Sequence, residues 1–219
     1  MNKRVLTAVV TLLALVTLTL GAVVVYALMR PGRPAASLAR LSLGATRLVV
    51  PTDYMRFDGD RGGGDLDRLD LAARFPDFAP AGRVTLRPGA DIQERADATV
   101  FLSLTPGDSS LAPEDRPMKL YARFLDPAEW SHPGGLVMRR FQPGSPYDGE
   151  ELYIAPPEGR AFFARCARPA DKPDGLPNAC ISEMRANGLN LQLRFSPALL
   201  SEWERVAEGA RGLMRGFAR

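Results

Sequence analysis

The sequence predicts an α+β protein: a single N-terminal transmembrane helix, then one domain whose mainly antiparallel β-sheet is closed by a C-terminal amphipathic helix. Three observations carry this reading. Residues 5–29 hold no charged side chain, residues 98–195 fall into short β-type runs between turn residues, and residues 199–217 repeat apolar positions at steps of three or four.

The first element is Val5–Met29, VLTAVVTLLALVTLTLGAVVVYALM, 25 residues long. As a helix it spans about 37 Å, more than the roughly 30 Å hydrocarbon core of a bilayer. Two other readings compete. A buried core helix of this length and apolarity needs a far larger protein around it. A cleaved signal peptide fits the basic start Met1-Asn2-Lys3-Arg4 and a small-residue site at Val25-Tyr26-Ala27, but such peptides have apolar cores of about 7–15 residues. Tyr26 also stands where a membrane interface favours an amphipathic ring. Thr7/Thr11 and Thr17/Gly21 are spaced for a helix–helix seam or for facing lipid. Basic residues flank both ends, so charge does not orient the span. The short tail and a cysteine pair downstream favour a cytoplasmic N-terminus and an exported domain. The expected division is a tail 1–4, transmembrane helix 5–29, basic juxtamembrane linker 30–43 and periplasmic domain 44–219.

Pro31, Gly32 and Pro34 stop the helix. Thr46–Val50 is the first strand candidate, and Leu66–Phe75 fits a short helix or a strand equally. Ala98–Leu104 reads as a strand on β-branched and aromatic content. Met118–Leu125 alternates apolar and polar positions and reads as a half-buried strand. A turn region at 126–134 precedes strands at Gly135–Phe141, Glu151–Ala155, Arg160–Cys166, Ala179–Arg185 and Leu189–Phe195. Asn187-Gly188 between the last two is a strong hairpin signal. Ser196 and Pro197 then cap and start the final helix. Its apolar stripe runs through Leu199, Trp203, Val206, Ala210, Leu213 and Phe217, with acids early and bases late along the other face.

Charge narrows the function. The net charge is +3, yet residues 1–40 contain Lys3, Arg4, Arg30, Arg33 and Arg40 and no acid. That leaves 23 basic against 25 acidic residues in 41–219, a net of −2. The basic excess sits beside the expected membrane span, where it would meet anionic lipid. Without a basic run interleaved with aromatics, nucleic acid is not an expected partner. Arginine outnumbers lysine heavily beside abundant Ala, Gly and Pro, a bias that points to a GC-rich bacterial source. Cys166 and Cys180 enclose thirteen residues rich in Pro, Asp and Gly, which suits a disulfide worth roughly 3 kcal/mol in an oxidising compartment. Two unpaired buried thiols are the alternative; with one histidine, His132, the pair cannot complete a zinc site.

No catalytic signature emerges. The glycine-rich acidic stretch 58–67 resembles a calcium loop at its first positions, but Leu69 stands where a bidentate Glu is needed. Ser145 lies in a Pro-Gly-Ser-Pro turn rather than a strand-to-helix elbow. Glu150 and Glu151 are adjacent and, on a strand, point to opposite faces. No cofactor or metal is expected. The candidate interaction surface is Trp130, His132, Arg139, Arg140, Phe141 and Tyr147, an aromatic and arginine cluster of the kind favoured at interfaces. Together these features predict a non-catalytic accessory or scaffold protein of the bacterial inner membrane, presenting a periplasmic surface to a transport, secretion or maintenance complex of the envelope. The alternative is a membrane-tethered hydrolase or ligand-binding domain acting on cell-wall material.

Overall fold

The computed structural model describes residues 12, 13, 15–19, 21, 37–82, 92–108, 110–168 and 179–218. The chain divides into two units, Met1–Ala36 and Ser37–Arg219. In the first unit the described residues are helical, and the Thr17 and Thr19 hydroxyls donate to the carbonyls of Leu13 and Leu15 at 3.0 Å.

The expected transmembrane helix is corrected at this point. Among the described residues no helix is long and apolar enough to cross a membrane, which takes about 20 consecutive apolar residues. The remainder of 5–29, with Thr7, Thr11 and Tyr26, lies outside the described residues. The signal-anchor, the lipid partner and the single-pass inner-membrane placement with a periplasmic domain all rested on that helix, and they are withdrawn with it.

The second unit is a mixed α+β domain with mainly antiparallel sheets and a long C-terminal helix. Strands β1 (Leu38–Leu43), β2 (Thr46–Pro51) and β3 (Gly64–Leu66) form a small sheet in the order β2-β1-β3, the β1–β3 pair being parallel. Residues 38–43, expected in the linker, are thus a strand: Ala39, Leu41 and Leu43 alternate inward while Arg40 and Ser42 face out. The remaining strands are β4 (Leu69–Arg74), β5 (Ala79–Pro80), β6 (Thr99–Pro106), β7 (Trp130–His132), β8 (Leu136–Arg140), β9 (Glu150–Ile154), β10 (Phe163–Ala167), β11 (Cys180–Ala186) and β12 (Leu189–Phe195). They make one nine-stranded sheet in the order β5-β4-β6-β12-β11-β10-β9-β8-β7. From β7 to β12 it is a meander of sequential neighbours. β12 then turns away from sequence order and pairs with β6, Leu191 opposite Leu104.

The Asn187-Gly188 hairpin forms in the expected register, with Ala186 opposite Leu189. Both turn residues have positive φ, 52° and 75°, the combination that matches strand twist and that Asn and Gly tolerate. The Asn187 side-chain amide also donates to the Met214 carbonyl at 3.0 Å, tying the hairpin to the C-terminal helix.

Met118–Leu125 is not a strand. Pro117–Tyr121 is a turn of π-helix and Ala122–Phe124 a 3-10 turn. Pro113 and Pro117 each sit at a first helical position, where a missing N–H costs nothing. The residues that bury are Tyr121 and Leu125, four apart, while Met118 remains 53% exposed. A helical spacing therefore won over the period-2 pattern.

Two apolar cores result. The larger is lined by the inward residues of the small sheet, by alternate residues of β4, β6, β11 and β12, and by the helix. The smaller, on the opposite face of β8–β10, gathers Tyr121, Leu125, Phe141, Leu152, Ile154 and Phe163. Strand β9 serves both, with Leu152 and Ile154 toward one and Tyr153 toward the other. Cys166 and Cys180 face each other across β10 and β11 and are joined by a disulfide, both almost wholly buried.

Short helix α1 (Ile92–Asp97) precedes β6. The C-terminal element opens with a 3-10 turn at Pro197–Glu202, where the Ser196 hydroxyl accepts from the Ala198 amide, and continues as α2 (Trp203–Phe217). Val206, Ala207, Ala210, Met214 and Phe217 bury against the sheet. Gly209 lies against the ring of Phe78, so that a Cβ there would overlap it.

Two stability measurements check this packing. Replacing both cysteines by alanine lowers unfolding free energy by about 3 kcal/mol in a guanidinium titration; an unchanged midpoint would mean that the strands alone fix this register. Gly209→Ala gains about 1 kcal/mol of helix propensity. It also overpacks a buried ring that Phe75 already meets edge-on at 6.4 Å, so a net loss of about 1–2 kcal/mol is expected.

Candidate protein-binding surface

Strand β7 ends the nine-stranded sheet, and its three residues have β8 as their neighbour on one side. Just before it, residues 124–126 already pair with β8 and its extension: the Asp126 amide donates to the Arg140 carbonyl at 2.8 Å and the Gln142 amide to that of Phe124, also at 2.8 Å. Pro127, Ala128 and Glu129 interrupt this rim strand. Arg139 fills the interruption, its Nε and a terminal nitrogen donating to the Asp126 carbonyl at 3.1 and 2.7 Å.

Cross-strand register sorts the expected residues onto two faces. Trp130 lies opposite Met138 and His132 opposite Leu136, so both share the larger core's face with Arg140. Arg139 and Phe141 take the other face, and Phe141 is only 2% exposed. Tyr147 is walled in beside it, its ring centroid 5.0 Å from that of Tyr121 and 4.9 Å from that of Phe141. Trp130, His132 and Arg140 are therefore brought together, whereas Arg139, Phe141 and Tyr147 belong to the supporting structure behind them.

The grouped residues form a chain of contacts. The Arg140 guanidinium lies 5.1 Å from the centre of the Trp130 indole, which is 39% exposed. Arg140 also meets Glu151 at 3.5 Å, and the Tyr153 hydroxyl donates to the same carboxylate at 2.9 Å. Burial, then this hydrogen bond and the Glu151 charge, push the Tyr153 hydroxyl well above the ordinary tyrosine range. It stays a donor at any physiological pH. His132 sets its ring edge-on to Tyr153 at 4.9 Å, with Nδ1–H donating to the Pro133 carbonyl at 2.9 Å. The neighbouring turn is fixed from the other side by the Trp203 indole N–H, which donates to the Gly134 carbonyl at 2.9 Å.

No general-acid, nucleophile or metal constellation accompanies this ladder among the described residues. Ser145 takes part in its own turn, its hydroxyl accepting from the Tyr147 amide at 3.4 Å. Glu150 and Glu151 do point apart, Glu150 to Arg165 at 2.6 Å and Glu151 to Arg140. In the glycine-rich loop, Asp58 pairs with Arg61 at 3.0 Å and Asp65 accepts from Ser42. No group of three His, Cys, Asp or Glu side chains among the described residues is placed to hold a metal ion.

Sequence reasoning missed a second cluster, on the polar face of β4, β6 and β12. Asp70 is 7% exposed and accepts from Arg68 at 2.8 and 2.9 Å and from the Ser103 hydroxyl. Burial works against its charged form, but the Arg68 and Ser103 hydrogen bonds and the Arg68 and Arg56 charges outweigh it and hold its pKa below the usual value. Arg56 lies beside this network with its guanidinium 4.7 Å from the centre of the Phe101 ring and 5.5 Å from that of Phe57. The available signal was Phe101, a large aromatic at an outward position between the inward-facing Val100 and Leu102.

Comparison with known proteins adds the fold. No protein-family model matches the sequence, and no curated protein matches it. Among solved structures, the chain is similar to Smlt3025, an immunity protein of the Stenotrophomonas maltophilia type IV secretion system. The TM-score is 0.59 at 15% identity, over 84% of this chain and 94% of that one. A weaker likeness, TM-score 0.43 at 12% identity over 83% of this chain and 92% of the other, is to FrpD, an iron-regulated outer membrane lipoprotein of Neisseria meningitidis. These findings correct the expected function. A membrane-anchored scaffold of an envelope complex, and equally a membrane-tethered hydrolase, required an anchor that no described helix supplies, and the likeness to solved structures shows the fold alone.

The depressed Asp70 pKa has a testable sign. The stability lost in Asp70→Asn is fully present above the unfolded carboxylate value of about 3.9 and vanishes as pH falls through the lower folded value. Denaturation midpoints of the two proteins should differ at pH 7 and converge on acidification; a constant gap would assign the loss to packing rather than charge.

Proposed function

We propose that the domain is a protein-recognition module that acts by holding one partner protein at the β7–β8 rim of its large sheet. The observation that carries the reading is Trp130, a partly exposed indole on a terminal strand, braced by Arg140 and backed by the Glu151–Tyr153 pair. Aromatic and arginine side chains dominate binding energy where they are held rigidly. A terminal strand also offers backbone groups to an incoming chain. The disulfide supports work in surroundings where cysteines are oxidised. The fold likeness supports the same kind of action, association with another protein, and makes a secretion-system protein the first partner to test.

The test is a photocrosslinking residue placed at Trp130, with Val49 on the outer face of the small sheet as control. A single discrete adduct from Trp130 and none from Val49 is the expected result in native cells. Equal labelling at both positions, or none at Trp130, would overturn the reading. With the captured partner purified, Trp130→Ala and Arg140→Ala should each weaken binding by about 10- to 100-fold, the range of a central interface anchor.

A further inference from the structure

We propose that the polar face of β4, β6 and β12 is a second docking surface, independent of the β7–β8 rim, and that it takes an acidic protein segment. The face carries two exposed cations that close no ion pair among the described residues, although the Arg56 charge acts on Asp70 from beyond contact. Arg56 and Arg194 each have no carboxylate within ion-pair distance among the described residues, although Arg68, Arg116 and Arg165 of the same face all do. Asp70, the buried acid of this cluster, is committed: Arg68 engages both its oxygens and Ser103 adds a third hydrogen bond. It has little acceptor capacity left for Arg56.

Arg56 is also held in place. Its guanidinium rests 4.7 Å from the Phe101 ring centre and 5.5 Å from that of Phe57. Its backbone amide donates to the Asp70 carbonyl at 3.0 Å. Stacking on aromatic faces occupies the flat sides of a guanidinium and leaves its in-plane N–H donors free, the geometry that grips a carboxylate. Arg194 stands directly across from Phe101 on the neighbouring strand, on the same outward face of the sheet. Phe57, 53% exposed, supplies apolar contact at the border. A fixed cation, a second cation one strand away and an exposed ring between loop and sheet are complementary to carboxylates carried on a peptide. An acidic strand or loop of a partner supplies the missing charge.

The experiment uses the full chain and a hexaglutamate peptide as probe, followed by NMR titration at low ionic strength. Saturable binding is expected, with shifts centred on Phe57, Phe101 and Arg194. Arg56→Gln with Arg194→Gln should weaken it by about tenfold, the scale for losing two charge-assisted contacts on a screened surface. Trp130→Ala should leave the affinity unchanged, which separates failure of this surface from failure of the rim. Arg194→Gln alone alters one exposed side chain and serves if the double variant is unstable. No saturable binding, shifts centred elsewhere, equal loss with Arg40→Gln and Arg47→Gln on the small sheet, or tighter binding of an oligothymidylate than of the peptide would each overturn the proposal.

Discussion

The constraint from which the rest follows is that one face of a nine-stranded sheet must be kept dry. Every long strand commits alternate residues to it: Leu69, Leu71 and Ala73, then Val100, Leu102 and Leu104, then Leu189, Leu191, Leu193 and Phe195. Fully burying each such leucine contributes about 1.5–3 kcal/mol, and a one-residue slip in any strand would expose its whole set. The small sheet and α2 exist, in packing terms, to cover that face. Ser182 departs from the rule, for its hydroxyl is buried there without a hydrogen-bond partner. Such a group costs stability, and nothing in the structure explains its presence.

Much of the sheet was legible because its strands obey this alternation locally. β8, β9, β10 and the β11–β12 hairpin were found near their true bounds, since turn residues punctuate them and Asn187-Gly188 prescribes its own geometry. The failures have physical causes. Met118–Leu125 alternates in composition, but prolines upstream start a helical turn and tertiary packing selects Tyr121 and Leu125. Strand β7 is three residues long beside Pro133, too short to carry a pattern, and β1 was hidden by its proximity to a basic, proline-rich collar. The pairing of β12 with β6 is invisible locally, because nothing in either segment names its partner.

The candidate surface divides on the same principle. Arg139 and Arg140 are consecutive and looked equivalent in the sequence. Strand geometry gives them opposite faces and different work. One satisfies a carbonyl left by an interrupted rim strand; the other braces an exposed indole. Phe141 and Tyr147 are aromatic residues near turns, but Phe141 lies in the smaller core and Tyr147 packs against it. The Arg56 cluster escaped notice because its members come from four separate segments, joined only when the sheet forms.

The order of the strands has a consequence for synthesis. Because β12 lies between β6 and β11, a ribosome must deliver nearly the whole polypeptide before the middle of the sheet can be completed. Until then β6 has β4 on one side and a bare hydrogen-bonding margin on the other, a ready template for a stray chain. A nascent or prematurely terminated product ending before residue 189 is therefore not a smaller version of the domain but an unfinished one.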